Sequence, residues 1–370
     1  MPVPAPRRLL GRPAHRHRLH DPASHEGRSH RRGRGAVRIP GPLPARARRR
    51  HSGRRRTGAP KVARPVSDLS ATVDLINAVF APSPPVSAED LEWYYRDNPE
   101  GAAAVGRVDE AGRQLGNYAL VPLRLDRADG ASVRVGLGVD LAVRPDARGT
   151  GAFRRTVEHS YEEGRRAGLD AILGIANAQS APRMVSAMGW RRLAPLPVRL
   201  LLATPWSPAC EHHPVTATLL ADGPFAEWLP AATSPSGPDF VATWTADLLR
   251  WRLARRRTDY VLHVLDEALL VSTRTRMAGV PIGVLLKVIP RRPPEHPLRS
   301  GPLVAAVGEH HRTPFIVHAG TNPAVRLRGI PLPRRLMPSP LEVVLHPLHP
   351  GFDANALELG GFEFLDFDAY

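Results

Sequence analysis

One cysteine, Cys210, stands in 370 residues, so the chain forms no internal disulfide and no zinc cluster made of cysteines, and a reducing compartment is its natural home. No stretch approaches the roughly 18 consecutive apolar residues that cross a bilayer, and the N-terminus lacks the apolar core of a secretory signal. Cytoplasmic residence without a membrane partner is therefore expected. Lysine is almost missing, with Lys61 and Lys287 set against 49 arginines, the bias of a GC-rich genome. Acids are scarce in one region only. Residues 1–65 hold 18 Arg and Lys61 against Asp21 and Glu26, a balance of +17 where the whole chain carries +16, which leaves the other 305 residues at −1. The basicity belongs to the leader, and the rest of the chain offers no electrostatic footprint for nucleic acid.

Residues 1–61 intersperse arginine runs with Pro and Gly and have no hydrophobic period, so they cannot bury enough apolar surface to offset chain entropy. A disordered Arg-rich tail is expected there. It can be read as an arm for nucleic-acid phosphates, although no aromatic is interleaved to stack on bases. It can be read as an organelle transit leader, although it has few serines and no amphipathic period. The preferred reading is translated upstream sequence with a start at Val62 or Val66, because no Met lies between Met1 and Met184. Nucleic acid is not the expected partner.

From residue 62 the composition becomes globular. Ser67 or Asp68 can cap a helix through Leu69, Val73, Ile76 and Phe80, and Ser87 to Asp90 form a capping box for a second helix carrying Leu91, Trp93 and Tyr94. Residues 102–108, 115–125 and 133–143 read as an antiparallel meander, with Asp129-Gly130 turning the second hairpin. A glycine loop, a helix to Gly168 and a strand over 171–176 follow. Residues 177–188 read as a helix stopped by Gly189, and 196–203 as a closing strand. The later half echoes the earlier one. Trp251 sits in a run like that of Trp93, and Asn322 in a run like that of Asn177, at intervals of 71 and 84 residues. Two domains are expected, 62–205 and 206–370, joined by a Pro-rich link near 205–214.

The loop Arg148-Gly149-Thr150-Gly151-Ala152 carries the chemistry. Small residues let the backbone approach an anion, and the helix behind directs free amides and its positive dipole end at it. Val143 to Ala152 resembles the signature motif of the GNAT N-acetyltransferase superfamily, in which Arg or Gln, two residues, Gly, one residue, and Gly or Ala follow a strand ending in Val-x-Pro. Asn177-Ala-Gln-Ser180 and Met188-Gly189-Trp190 resemble that family's later motif. The resemblance spans about 140 residues and implies an α/β fold, a mixed, mostly antiparallel sheet flanked by helices. The fold is expected as a tandem, the second copy degenerate.

By that resemblance the donor is acetyl-CoA. Leu141, Ala142 and Val143 pair with its pantetheine arm. The amides of Arg148, Gly149, Thr150, Gly151, Ala152, Phe153 and Arg154 take the pyrophosphate, and Asn177 faces the arm near the thioester. Phe153 departs from the family, which prefers Gly or Ala there; its bulk fits only if the ring packs into the core. The acceptor is expected to be an amine on a small molecule or peptide. A rival reading is a non-catalytic acyl-CoA-binding protein.

Acyl transfer needs a base for the ammonium and an acid for the leaving thiolate. Strand alternation puts Asp140 beside Ala142 on the face opposite Val139, Leu141 and Val143, which makes Asp140 the candidate base. The family's acid is a tyrosine seven residues after the motif Asn, and that position holds Met184; Tyr118 and Tyr161 are substitutes without positional support. His212-His213 and His310-His311 are expected at the surface or in loops, with spacings that make no metal site, so no metal is expected. In the later half, Arg299-Ser-Gly-Pro302 occupies the loop position with one glycine and a proline that removes an amide, so this half is expected to lack a cofactor of its own.

Overall fold

Local chemistry sets the ends of the first helices. The computed structural model describes residues 68–176, 180–206, 208–233, 235, 237–277, 279–333, 337 and 341–367, so the expected Arg-rich tail and Asn177 lie outside the described residues. Helix α1 (Ser70–Phe80) begins where the Asp68 carboxylate accepts from the Ser70 amide at 2.8 Å. Helix α2 (Ala88–Tyr95) opens on the capping box: the Ser87 hydroxyl accepts from the Asp90 amide, and the Asp90 carboxylate accepts from the Ser87 amide. Strands β1 (Ala104–Glu110), β2 (Arg113–Asp126) and β3 (Ser132–Val143) form the antiparallel meander. Helix α3 (Ala152–Arg166) then carries the chain back to β4 (Ala171–Ala176), which lies parallel to β3. Helix α4 (Ser180–Met188) and the short β5 (Arg191–Arg192) follow. No helix among the described residues is long and apolar enough to cross a membrane.

The expected closing strand, β6 (Val198–Leu202), does not close this sheet. It pairs antiparallel with strand Phe315–Thr321 of the later half, from Val198↔Ala319 to Leu202↔Phe315. Its place beside β4 is taken by strand Glu342–Pro347, in antiparallel register from Ala176↔Glu342 to Ala171↔Pro347, with β5 on its outer edge. Pro195 and Pro197 help explain the departure. They supply no amide donors, so the run after β5 cannot fold back as a ladder strand, and it follows the incoming chain instead through Leu193 N to Val343 O and Leu196 N to Leu341 O.

The later half repeats the strand order. After β7 (Glu211–Pro214), α5 (Ala217–Asp222), α6 (Phe225–Trp228), β8 (Phe240–Ala242) and α7 (Ala246–Leu253) come β9 (Val261–Val264), β10 (Ala268–Met277) and β11 (Val280–Pro290) as an antiparallel meander. Helix α8 (Ser300–His311) leads to Phe315–Thr321, parallel to β11 as β4 is to β3. The expected echo of Trp93 in Trp251 has a physical counterpart. The two indoles stack at 5.4 Å, Trp93 Nε1 donates to Trp251 O at 2.7 Å, and Trp251 Nε1 donates to Trp93 O at 2.9 Å. That is the reciprocity of a two-fold contact, made inside one chain. A common apolar core runs through it, from Tyr94, Val121 and Leu137 to Trp244, Leu249 and Val284.

In the later half the parallel ladder stops at Leu285↔His318, and the ends of the two strands separate around segment 359–366. Strand Leu359–Glu363 pairs with Gly320 and Thr321, and Lys287 of β11 bonds Asp366 at 2.7 Å and Glu363 at 3.0 Å. His318 Nε2 lies 3.0 Å from Glu363, and Trp244 Nε1 donates to Asp366. Burial alone would lower Lys287, but Asp366 and Glu363 hold its ammonium above the ordinary value. Burial would raise Glu363, and Lys287 with His318 holds it below. Replacing Lys287 with Met leaves two buried carboxylates without their cation. The expected cost is about 3–5 kcal/mol, read as a lower denaturant midpoint at pH 7; an unchanged midpoint would show that the cluster does not hold the segment.

Candidate functional site

The glycine loop is pinned at both ends and free in the middle. Ala147 and Ala152 are buried against Val108 and Leu115, while residues 148–151 are exposed. Gly149 and Gly151 have φ of +86° and +83°, which glycine adopts without strain, and a Cβ on either would meet nothing within 4 Å. The Arg148 and Thr150 amides turn into the loop itself, toward Pro145 O at 3.3 Å and Ala147 O at 3.4 Å. Those of Ala152, Phe153 and Arg154 lie ahead of the first helical bond, Arg155 N to Gly151 O, and so open the end of α3. Phe153, the departure from the family pattern, is half-buried and packs, as Leu141, Val185 and Met188 do, against the buried cluster of Tyr118, Val157, Tyr161 and Met184. Its ring therefore does not occupy the loop.

Helix α3 is held close to the sheet. A Cβ on Gly106 would lie 2.3 Å from Ser160 N, so the helix backbone rests directly on β1. This contact fixes where the helix's amide end points. The β3–β4 ladder runs from Val135↔Ala171 to Gly138↔Gly174 and stops, although β3 continues to Val143 and β4 to Ala176. Beyond Gly138, Leu141 to Val143 keep their bonds to β2 through Asn117↔Ala142 and Gly116↔Val143. Among the described residues no strand pairs with their other edge. The cleft thus runs from Gly138 to the glycine loop.

The strand alternation expected at Asp140 is broken. The β2–β3 register shifts so that Asn117↔Ala142 and Ala119↔Val139 leave Asp140 and Leu141 opposite Tyr118 alone, and Asp140 takes φ +52°. This bulge turns the carboxylate toward α2. Tyr95 donates to Asp140 Oδ2 at 2.8 Å, and Asn117 Nδ2 lies 3.2 Å from the Tyr95 hydroxyl and 3.1 Å from Asp140 O. Gln114 Nε2 reaches toward Asn117 Oδ1 at 3.4 Å, and Thr72 donates to Gln114 Oε1 at 3.0 Å. Burial, followed by the Asp140 charge and its hydrogen bond, holds Tyr95 well above the ordinary phenol value, so it stays a donor. The sequence reading named Asp140 without its chain of partners. Gln114 and Asn117, two amides set among Leu115, Ala119, Leu120, Val121 and Leu123 of β2, are the signal in the sequence.

On the opposite face, Tyr118 lies over the point where the ladder ends: a Cβ on Gly138 would be 2.0 Å from its hydroxyl. Burial, and secondarily Tyr161, raises its phenol. Tyr161 lies nine residues into the helix axis from Ala152, accepts from Trp190 Nε1 at 2.5 Å and stacks on His346 at 4.1 Å. Met184 is buried in the same cluster. The structure thus brings Asp140, Leu141, Ala142, Val143 and Tyr118 to one end of the cleft and residues 148–154 to the other.

Solved structures share this architecture. The GCN5-related N-acetyltransferase of Anabaena variabilis is similar at a TM-score of 0.51 and 13% identity, over 78% of this chain and 72% of that one. A probable N-acyltransferase from Enterococcus faecalis has a TM-score of 0.49 at 12% identity, covering 75% of this chain and 68% of its own. Eis1 from Mycobacterium abscessus has a TM-score of 0.46 at 14% identity, covering 75% and 70%. The chain has the mixed α/β, acyl-CoA N-acyltransferase fold of the GCN5-related proteins. No family model and no curated protein matches it in sequence.

Gly106→Ala puts a methyl group against the α3 backbone. It is expected to destabilise by roughly 1–3 kcal/mol and to lower the melting temperature; an unchanged melting curve would show that α3 is free to shift on β1.

Proposed function

We propose that the chain is an acyl-CoA-dependent N-acyltransferase, with acetyl-CoA as donor and a primary amine on a small molecule or peptide as acceptor. The observation that carries this reading is the cleft, where a parallel ladder stops at Gly138 and leaves the edge of Leu141, Ala142 and Val143 facing a gap that leads to the exposed glycine loop. An amide-bearing pantetheine arm can add to that edge as a strand would, and its pyrophosphate then meets the amides of Gly149, Gly151, Ala152, Phe153 and Arg154. The duplication expected from the sequence is supported by the repeated strand order and the Trp93–Trp251 pair. On this reading 62–205 supplies the catalytic half and 206–370 a degenerate one, the corresponding gap of the latter being filled by segment 359–366.

Chemistry follows from what lines the bulge. The acceptor nitrogen attacks the thioester carbonyl, the N–C bond forms as the C–S bond breaks, and the nitrogen's proton passes to Asp140, directly or through one water. Tyr95 holds that carboxylate in place, and Asn117 steadies both the Tyr95 hydroxyl and the Asp140 backbone carbonyl. The departing thiolate takes a proton from Tyr118, which replaces the tyrosine absent at Met184. Positioning of the two reactants supplies much of the remaining rate.

Met184 also favours a second reading, a binding protein without turnover. Incubation with acetyl-CoA across an amine panel separates the two, since amine-dependent release of free thiol requires catalysis. Asp140→Asn is expected to lower turnover roughly 100-fold with acetyl-CoA affinity kept, and Tyr118→Phe to lower it by a similar factor. Thiol release that no amine stimulates would support the binding protein. Full turnover in Asp140→Asn would remove Asp140 from the mechanism.

A further inference from the structure

The densest group of unassigned side chains lies in the later half, far from the cleft in sequence. His212 of β7 and His263 of β9 are cross-strand partners, Cys210 leads into β7, and His310 and His311 close the last turn of α8. The surface or loop placement expected for the paired histidines fails for His311, which is buried at the end of α8; His212 and His310 are half-buried beside the buried His263, and His213 turns away to Glu211. The Nδ1 atoms of His212 and His263 are 2.7 Å apart, Cys210 Sγ is 3.7 Å from His212 Nδ1, and the three donor atoms lie within 4.8 Å of one another. His310 faces both rings. Centroid separations are 4.9 Å for His212–His263, 5.1 Å for His212–His310 and 5.5 Å for His263–His310. Imidazoles bound through one nitrogen to a shared tetrahedral zinc, at about 2.0–2.1 Å each, hold their centroids about 5 Å apart.

The surroundings fit a ligating histidine. His263 Nε2 lies 2.6 Å from Ser272 Oγ, which lies 2.7 Å from His311 Nε2. A hydrogen bond of this kind fixes the tautomer and leaves the other ring nitrogen for a metal. In the tautomer whose Nε2 donates to Ser272 Oγ, His263 has Nδ1 as an acceptor for His212.

We propose that Cys210, His212 and His263 bind one zinc ion with His310 as fourth ligand, pinning the connector that leaves the exchanged strand β6 to the sheet of the later half. Thiolate and imidazole donors in a tetrahedral set select zinc over magnesium or calcium. Binding replaces the His212–His263 hydrogen bond by two metal–nitrogen bonds. The His212 proton moves from Nδ1 to Nε2, and the Cys210 thiol releases its proton to water.

The test uses the full, untagged chain, loaded with zinc or cobalt and dialysed. Because Cys210 is the single cysteine, a sulfur-to-cobalt charge-transfer band can arise only there, whereas the six histidines in residues 1–51 can give no such band. One tight metal per chain is expected, with the charge-transfer band, a tetrahedral cobalt spectrum and a melting temperature raised by zinc. Cys210→Ser should abolish the band, and His212→Ala should reduce tightly held metal at least tenfold; both positions are half-exposed, so the fold should survive. Cobalt bound without a thiolate band in the parent chain, or metal content unchanged in His212→Ala, would overturn the proposal. The parent spectrum decides the matter even if a variant fails to fold.

Discussion

The exchange of β6 for strand Glu342–Pro347 is the constraint on which the rest of the molecule depends. Each half of the continuous sheet receives the strand beside its edge from the other half of the chain, so neither is complete without residues more than a hundred positions away. A strand beside an edge serves two neighbours at once, and removing it would leave two rows of backbone donors and acceptors without partners. The reciprocal Trp93–Trp251 hydrogen bonds close the same contact from the helix side, and one apolar core continues through both halves.

That constraint also fixes the difference between the two clefts. Glu342–Pro347 secures the outer edge of β4, which holds β4 in place while its inner end parts from β3 at Gly138 and Gly174. In the later half the equivalent parting, at Leu285 and His318, is occupied by the chain's own segment 359–366, tied by Lys287 to Glu363 and Asp366. Burying such charges offers little net stability against an apolar alternative, but it makes the position of the segment specific, because displacing it would strand a buried charge. Under the proposed function, the same architecture supplies one receptive cleft and one filled one.

Much of the fold was legible in the sequence because it rests on local signals. The capping box at Ser87, the Asp129-Gly130 turn, and the strand, glycine loop and helix around Gly149 and Gly151 all follow from residues within a few positions of one another. What was hidden is non-local or depends on a single irregularity. The destination of β6 is set by pairing with Phe315–Thr321, which alternation cannot reveal. One extra residue in β3 left Asp140 beside Ala142 as expected but put it on the same face as Val139, since the side-chain period of a strand is two. The partners of Asp140 come from α2 and β2, and the Cys210–His212–His263 group comes from an edge connector and β9, so no spacing in the sequence announces either.

The central claim, a single receptive cleft per chain on the glycine-loop side, is tested most directly by calorimetric titration of acetyl-CoA into the parent chain and two variants. Gly151 sits at φ +83°, where a β-branched residue is strained and its side chain stands in the path of an approaching anion, whereas Gly301 has no positive φ, and a Cβ there, as at Gly151, meets nothing within 4 Å. The account predicts one acetyl-CoA per parent chain, no measurable binding to Gly151→Val, and unchanged affinity in Gly301→Val. Two sites per chain, or binding that survives in Gly151→Val and disappears in Gly301→Val, would contradict it.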